Sequence, residues 1–219
     1  MSRPTQERAV RTRELILKAA AEEFDEKGYA GASITKIVDR AGVTAGALYF
    51  HFQSKQGLAS AVMNAQSGAI EPLIGSEGLQ RLVDITLVWA RQLQVDPVLR
   101  AGVRLAVEQG SFGLQDASSY QGWRTIMGEC LHEAARKGEL RPEADPDRVA
   151  AFVVGACTGV QLYAQLLNGR KDLTERTVHM WELLLPGIAV PDVADRIELD
   201  GERGKRHDDG GVADGGTGG

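Results

Sequence analysis

Four polar side chains lie close together in the segment AGVTAGALYFHFQSK at residues 41–55: Thr44, Tyr49, His51 and Lys55. Their hydroxyl, imidazole and ammonium groups can donate hydrogen bonds to phosphate oxygens and to acceptor atoms on base edges. Apart from Gln53 and Ser54, the other residues of the segment are small or apolar, and we predict that its larger apolar side chains are core residues: Leu48, Phe50 and Phe52. A slim helix that carries such donors fits the major groove of DNA, which is about 12 Å wide.

Two short helices separated by a glycine turn are predicted to position these side chains. Ser33 is a plausible N-cap, and after it apolar residues recur at the spacing of one helix face: Ile34, Ile37, Val38 and Ala41. Gly42 then interrupts the chain, and Thr44 is placed to cap the next helix. The spacing therefore predicts helices over 34–41 and 45–51, arranged as a helix-turn-helix.

The rest of the chain also has helical rather than strand periodicity. Ile16, Ala20 and Phe24 form one stripe on a first helix that Gly28 ends, and Ser54 can cap a fourth helix. Breaks at glycine and proline predict further helices at 77–94, 97–109, 117–137, 146–168, 172–185 and 192–203. We therefore predict an all-α protein with a three-helix domain at 1–54 that contains the helix-turn-helix, a larger helical domain at 55–200, and a disordered Gly-rich tail at 201–219.

Charge is distributed unevenly along the chain. The net charge is −5, yet residues 1–55 carry nine Lys and Arg against seven Asp and Glu, while the remainder carries sixteen against twenty-three. A basic head beside an acidic body is compatible with DNA binding by the head alone.

Catalytic and metal-binding patterns are weak. The segment HEAAR at 132–136 lacks the second histidine of a zinc motif, and neither Cys130 nor Cys157 has metal-ligand spacing. The residues therefore predict a protein that is not an enzyme and has no cofactor or metal. The start of the chain does not resemble a secretory signal, and the uncharged stretch 149–167 is interpreted as a buried helix or subunit contact, so we expect a cytoplasmic protein.

The segment TRELILKAAAEEFDEKGYAGASITKIVDRAGVTAGALYFHFQSKQGL closely resembles the N-terminal domain of TetR-family repressors. The matching features are IL-AA---F---GY, T---I---AGV and GALYFHF-SK--L. Later segments, VLRAGVRLAVEQ, the region around Trp123 and LLPGIAVPDV, resemble the γ-butyrolactone receptor branch of this family.

This resemblance implies that 1–54 is a DNA-binding domain and that 55–200 is a ligand-binding and dimerisation domain. It implies a homodimer that binds a pseudo-palindromic operator and is released by a small ligand. It assigns DNA contacts to Thr44, Ala45, Gly46, Tyr49, His51 and Lys55, phosphate contacts to Ser33 and Thr35, and an approach to the backbone or minor groove to Arg8 and Arg11. Many receptors of the branch have lysine where Ala45 stands. The resemblance therefore implies that this chain binds its operator more weakly or less selectively, and the loss is about 1–3 kcal/mol if that lysine contacts a base.

Effector residues are predicted in the second part of the chain and at its junction with the head. Trp123 fits a core position equally well, but the resemblance implies that it stacks over a lactone. Thr158 and Gln161 place polar groups on an apolar helix, which suits a ligand pocket and a subunit interface alike. Gln66 follows the helix that links head and body, and it completes the predicted ligand-binding set.

Two alternatives remain open on the sequence alone. A regulator of the same family could answer to an antibiotic or a biosynthetic intermediate, because long-range packing determines pocket shape. A protein-interaction module that keeps the fold without binding DNA is the other alternative; Ala45 favours it, whereas Tyr49, His51 and Lys55 do not.

Overall fold

The computed structural model describes residues 3–66 and 75–204, and these residues form α-helices joined by turns, without a β-strand. The all-α prediction is confirmed. The helices are α1 (Arg3–Gly31), α2 (Ile34–Ala41), α3 (Ala45–Phe52), α4 (Lys55–Asn64), α5 (Gly78–Val95), α6 (Pro97–Glu108), α7 (Ser118–Arg136), α8 (Pro146–Asn168), α9 (Leu173–Ile188) and α10 (Pro191–Ala194).

Side-chain caps begin several of these helices. The Thr44 hydroxyl accepts a hydrogen bond from the Ala47 N–H at 3.2 Å, and the Ser54 hydroxyl accepts one from the Gly57 N–H at 2.9 Å, so both predicted caps are confirmed. Ser33 occupies the N-cap position of α2, but its hydroxyl makes no capping bond. Asp96 and Asp145 cap α6 and α8, each followed by a proline at the first helical position.

Helix ends differ from the predictions in three places. Gly28, with φ 67°, interrupts α1, which nevertheless resumes to Gly31. Helix α9 continues through Pro186 to Ile188 rather than ending at 185, since Leu185 and Ile188 are buried and hold its last turn in the core. The predicted helix at 192–203 is wrong: only Pro191–Ala194 and a 3₁₀ turn at Gly201–Gly204 are helical. The remainder of the predicted tail lies outside the described residues.

The chain divides into two compact units. The first contains α1–α4, α6 and the 3₁₀ turn Gln109–Phe112; the second contains α5 and α7–α10, with α7 from Tyr120 onward. The predicted domain boundaries at 54/55 and 200/201 stay a prediction.

In the first unit, charged groups attach α6 to the carboxyl end of α1. Arg100 Nε lies 2.8 Å from Asp25 Oδ2, and Arg104 Nη1 donates to the Asp25 carbonyl at 2.7 Å. Arg104 also pairs with Glu108, whose second oxygen accepts from the Tyr29 N–H at 3.2 Å. The Arg104 side chain lies directly beside Gly28, because a Cβ at that position would be only 2.7 Å from Arg104 Nη2. Helix α6 is therefore part of the unit that carries the helix-turn-helix.

In the second unit, α5 packs against α9 and against a segment near the end of the chain. Trp181 Nε1 donates to the Thr86 hydroxyl at 2.7 Å in the core. We call residues 195–204 the C-terminal strap. Its Arg203 donates two hydrogen bonds to the fully buried Asp84, at 2.7 and 2.9 Å, and its Glu198 backbone bonds in both directions with Gln80. The strap thus supplies the counter-charge for a buried carboxylate on α5.

Helix α8 is long and apolar enough, by length and composition alone, to cross a membrane. Of its most apolar stretch, 33% is buried within this chain. The expectation of a buried helix is confirmed for one face of α8, formed by Ala150, Val153, Cys157, Gln161 and Ala164, and the expected subunit contact stays a prediction. Several large apolar side chains are exposed on α8 and on the neighbouring α9: Phe152, Tyr163, Leu166, Leu167 and Leu183. Gly155 and Gly159 lie among them, and a Cβ on either would meet open space.

Candidate DNA-binding surface and effector site

A tight turn connects α2 to α3. Gly42 adopts φ 65° and ψ 35°, a left-handed conformation that favours glycine, and its N–H donates to the Asp39 carbonyl at 3.2 Å. The Val43 N–H returns to the Val38 carbonyl at 3.1 Å. Ile37 and Val38 on α2 are buried together with Leu48 and Phe52 on α3. The predicted helix-turn-helix is present in this form.

Phe50 does not belong to the core. Its side chain is 77% exposed, whereas Leu48 is fully buried and Phe52 is 5% exposed. The prediction of a core position for Phe50 is wrong because an α-helix turns by about 100° per residue. With Leu48 and Phe52 one turn apart and facing inward, Phe50 must point away from the core.

The predicted DNA-binding residues are mostly exposed. Tyr49 is 48% exposed on α3, and His51 and Ser33 are half-buried. The remaining exposed members are Thr44, Ala45 and Gly46 at the start of α3, Thr35 on α2, and Arg8 and Arg11 on α1. Because α1 already begins at Arg3, both arginines are carried by a helix and not by an irregular arm.

Lys55 is engaged inside the first unit. Its Nζ donates to the Ala32 carbonyl at 2.6 Å and lies 4.8 Å from the centroid of the Tyr29 ring. Burial lowers the pKa of the ammonium from its ordinary value, while the charge of Glu23 raises it to a smaller degree. Sequence reasoning missed this internal role, since Ala32 lies 23 positions away. A contact between Lys55 and DNA stays a prediction.

Arg40, a further basic residue of the helix-turn-helix, is paired with three carboxylates of α1. Its guanidinium lies 3.4 Å from Glu22, 3.7 Å from Glu23 and 3.3 Å from Glu26. Glu23 is buried and also accepts from the Ser33 N–H at 3.2 Å. This cluster fixes α2 against α1, so the charge of Arg40 serves the packing of the helix-turn-helix.

Gln66 is buried in the first unit and has an unused hydrogen-bond donor. The residue is 4% exposed, and among the described residues its Nε2 has no hydrogen-bond partner. The side chain lies against Gly102 of α6 so closely that a Cβ there would overlap its Cγ. An unpaired buried amide is costly, so this donor is available to an acceptor from outside the described residues.

The other predicted effector residues belong to the second unit. Trp123 is buried on α7, and the half-buried Thr158 donates its hydroxyl to the Val154 carbonyl at 2.8 Å. Gln161 is fully buried on α8, where its Oε1 accepts from Arg170 Nε at 3.1 Å and Nη2 at 2.9 Å. Its Nε2 has no hydrogen-bond partner within the described ranges. Sequence reasoning missed Arg170, which lies in the turn that follows α8.

Metal binding and thiol chemistry find no support in the residues that the structure covers. Across 3–66 and 75–204, no group of three or more His, Cys, Asp or Glu side chains is arranged to hold a metal ion. Burial raises the pKa of the Cys130 thiol to about 11 and that of Cys157 to about 12. Both thiols are therefore protonated and weakly nucleophilic at neutral pH.

Comparison with known proteins decides the family. Residues 16–62 match the profile of bacterial regulatory proteins of the tetR family, and residues 76–191 match the tetracyclin repressor-like C-terminal domain. The chain belongs to the TetR family. The predicted resemblance is confirmed, and the chain is a DNA-binding transcriptional repressor and not an enzyme.

Three TetR-family relatives align along most of the chain. The A-factor receptor protein of Streptomyces griseus is 39% identical, over 90% of this chain and 70% of that protein. The crystal structure of TylP, a TetR regulator from Streptomyces fradiae, is 40% identical with a TM-score of 0.84, covering 95% of this chain and 98% of the other. A γ-butyrolactone receptor described as ArpA-like is 31% identical with a TM-score of 0.69, covering 91% and 99%.

Parts of the described structure lie outside the two regions that match the TetR family. The first match contains the helix-turn-helix and most of α4, and the second runs from the segment before α5 to the start of α10. The C-terminal strap at 195–204 follows the end of the second match. The contact between Arg203 and Asp84 therefore joins a residue outside the second match to a residue inside it.

Proposed function

We propose that this TetR-family repressor binds a pseudo-palindromic operator as a homodimer in the cytoplasm and is released by a γ-butyrolactone-type signal. The observation that carries the choice of signal is 39% identity with the A-factor receptor protein over 90% of the chain, together with the likeness to a γ-butyrolactone receptor. The DNA contacts are made by the exposed residues of α3, by Ser33 and Thr35 near the start of α2, and by Arg8 and Arg11.

The chemistry of the predicted effector residues supports a ligand of this kind. A γ-butyrolactone with an alkyl side chain offers carbonyl acceptors and an apolar body. Gln66 Nε2 and Gln161 Nε2 are buried donors without partners among the described residues, and each could be satisfied by an acceptor on a ligand. Trp123 supplies a buried aromatic surface in the second unit.

The exposed apolar surface of α8 and α9 supports a homodimer. Leu166 and Leu183 are 84% and 85% exposed, and Phe152 and Tyr163 extend the same surface along α8. Large exposed apolar patches mark interaction sites. Gly155 and Gly159 would let a partner helix come close to α8. We assign this surface to a second copy of the chain, because a two-fold pair places two recognition helices on one operator.

Release from DNA would follow from a shift in population. A thousandfold loss of operator affinity requires about 4 kcal/mol of coupling between the two ligands. Gln66 lies against Gly102 of α6, and Arg100 and Arg104 attach α6 to α1 in the unit that carries α3. A ligand that engages the Gln66 amide would therefore act on a helix connected to the DNA-binding surface.

Selection of bound sequences from random duplex DNA, repeated with synthetic γ-butyrolactones, tests this proposal. The full-length protein should recover a palindromic sequence, and a lactone of suitable chain length should remove that enrichment. Tyr49→Ala serves as the control that should recover no palindrome while remaining dimeric.

The possible outcomes separate the parts of the proposal. A palindrome that resists every lactone but is released by another small molecule would contradict the assigned signal and leave the repressor function intact. A protein that enriches no duplex at low ionic strength would contradict the operator-binding proposal itself.

A further inference from the structure

The outermost side chain of α3 is an aromatic ring without a hydrogen-bonding group. Leu48 and Phe52 face the core, and Phe50 lies on the opposite side of the helix at 77% exposure. The position one turn earlier on that side is Gly46, and a Cβ there would meet only Thr44 Oγ1, at 3.8 Å. The helix is therefore slim on the side that carries the Phe50 ring, since Gly46 has no side chain there.

The side of α3 that carries Phe50 cannot recognise bases through side-chain hydrogen bonds. Gly46, Ala47 and Phe50, which share this side of the helix, have no polar side-chain atom. In the major groove, the apolar feature that distinguishes one base from another is the C5-methyl group of thymine, which alanine and phenylalanine side chains contact favourably. An exposed phenyl ring is also unfavourable in water, and contact with a methyl group would remove part of its surface from solvent.

We propose that Phe50 is a specificity-determining residue that recognises the C5-methyl group of thymine in each operator half-site. This inference rests on the proposed role of α3 in DNA binding, and it specifies the chemical group of the operator that the helix recognises. Tyr49 and His51, on the two sides of Phe50, keep their polar groups for phosphates. The His51 ring packs edge-on against Phe50, with centroids 5.3 Å apart and an interplanar angle of 80°, and so limits the positions that the phenyl ring can take.

Replacement of thymine by deoxyuridine tests this inference, because it removes the methyl group and leaves the base-pairing edge unchanged. The probe is the duplex recovered from random DNA by the full-length protein, with each thymine replaced in turn and affinity measured by fluorescence anisotropy. At one or two positions per half-site, loss of the methyl should weaken binding about fourfold, and about sixteenfold when both half-sites are changed.

Phe50→Ala should bind the unmodified duplex more weakly and should lose the sensitivity to deoxyuridine at those positions. Leu15→Ala removes another exposed apolar side chain, from α1 in the same unit, and should keep the full sensitivity. Circular dichroism should give equal melting temperatures for the two variants, because neither side chain is buried.

Two results would overturn the inference while leaving operator binding intact. One is a bound duplex in which no thymine methyl contributes to the affinity of the unmodified protein. The other is a methyl contribution that is equally large in Phe50→Ala. Failure to recover any bound duplex would instead overturn the operator-binding proposal, and the inference would fall with it.

Discussion

At the scale of single residues, a substitution of Lys55 tests whether its side chain stabilises the fold, independently of any contact with DNA. Its ammonium donates to the Ala32 carbonyl and lies over Tyr29, so Lys55→Met leaves that carbonyl without this donor and removes a cation–π contact. We expect the free energy of unfolding to fall by about 1–2 kcal/mol. This value is at the lower end of the range for hydrogen bonds of charged groups, because the Lys55 side chain is only half-buried. Chemical denaturation of the full-length protein measures this change.

Lys36→Met is the matched control for Lys55→Met. Lys36 is an exposed lysine on α2, and its replacement should change the free energy of unfolding by no more than about 0.5 kcal/mol. Equal stability of the two variants would show that the internal contacts of Lys55 contribute nothing, and its charge would then be available entirely to DNA.

The difference between Leu48 and Phe50 shows what the sequence can and cannot predict at this scale. In AGALYFHF nearly every residue is apolar, so hydrophobic periodicity does not give the phase of the helix. That phase is set by packing of Leu48 and Phe52 among the other helices of the first unit. Thr44 and Ser54 were predictable as caps because a cap depends on residues only three positions apart.

At the scale of secondary-structure elements, the C-terminal strap should stabilise α5. Arg203→Met would leave Asp84 fully buried without its guanidinium partner, and the expected cost is about 3 kcal/mol. The double variant Asp84→Leu with Arg203→Met should recover most of the lost stability, because it removes the buried charge together with its partner. Thermal and chemical unfolding measure both variants.

Arg176→Met is the comparison for Arg203→Met. Arg176 pairs with Asp172 at 2.7 Å within one helical turn, with both side chains half-buried, and ion pairs four residues apart on a helix contribute about 0.5 kcal/mol. If Arg203→Met cost no more than Arg176→Met, the strap would not be a stabilising element. The strap was not predictable, because the sequence gives no local sign that Arg203 pairs with a residue 119 positions earlier.

At the scale of the whole molecule, the exposed surface of α8 and α9 should control assembly. Leu166→Asp combined with Leu183→Asp places two charges on that surface and should convert the dimer to a monomer. Operator affinity should fall at least a hundredfold, since a single recognition helix loses the contacts of the second half-site. Sedimentation measures the assembly state, and a gel shift with the selected duplex measures the affinity.

Leu15→Asp is the control for this double variant, because it places a charge on an exposed leucine of α1. It should leave sedimentation unchanged. A double variant that still sediments as a dimer would move the subunit interface away from α8 and α9. The sequence identified the apolar stretch 149–167 but not which of its faces is exposed, since that depends on how α8 packs against α9.

The position of the strap after residue 191 also bears on how this protein can be divided for experiments. A fragment cut where the family's C-terminal domain ends would include every residue of that domain and still lack Arg203. Its Asp84 would lose the guanidinium that neutralises its charge in the intact chain. An expression plasmid that ends at this boundary would thus yield a protein without the charge pair between the strap and α5, and we expect it to be less stable than the intact chain.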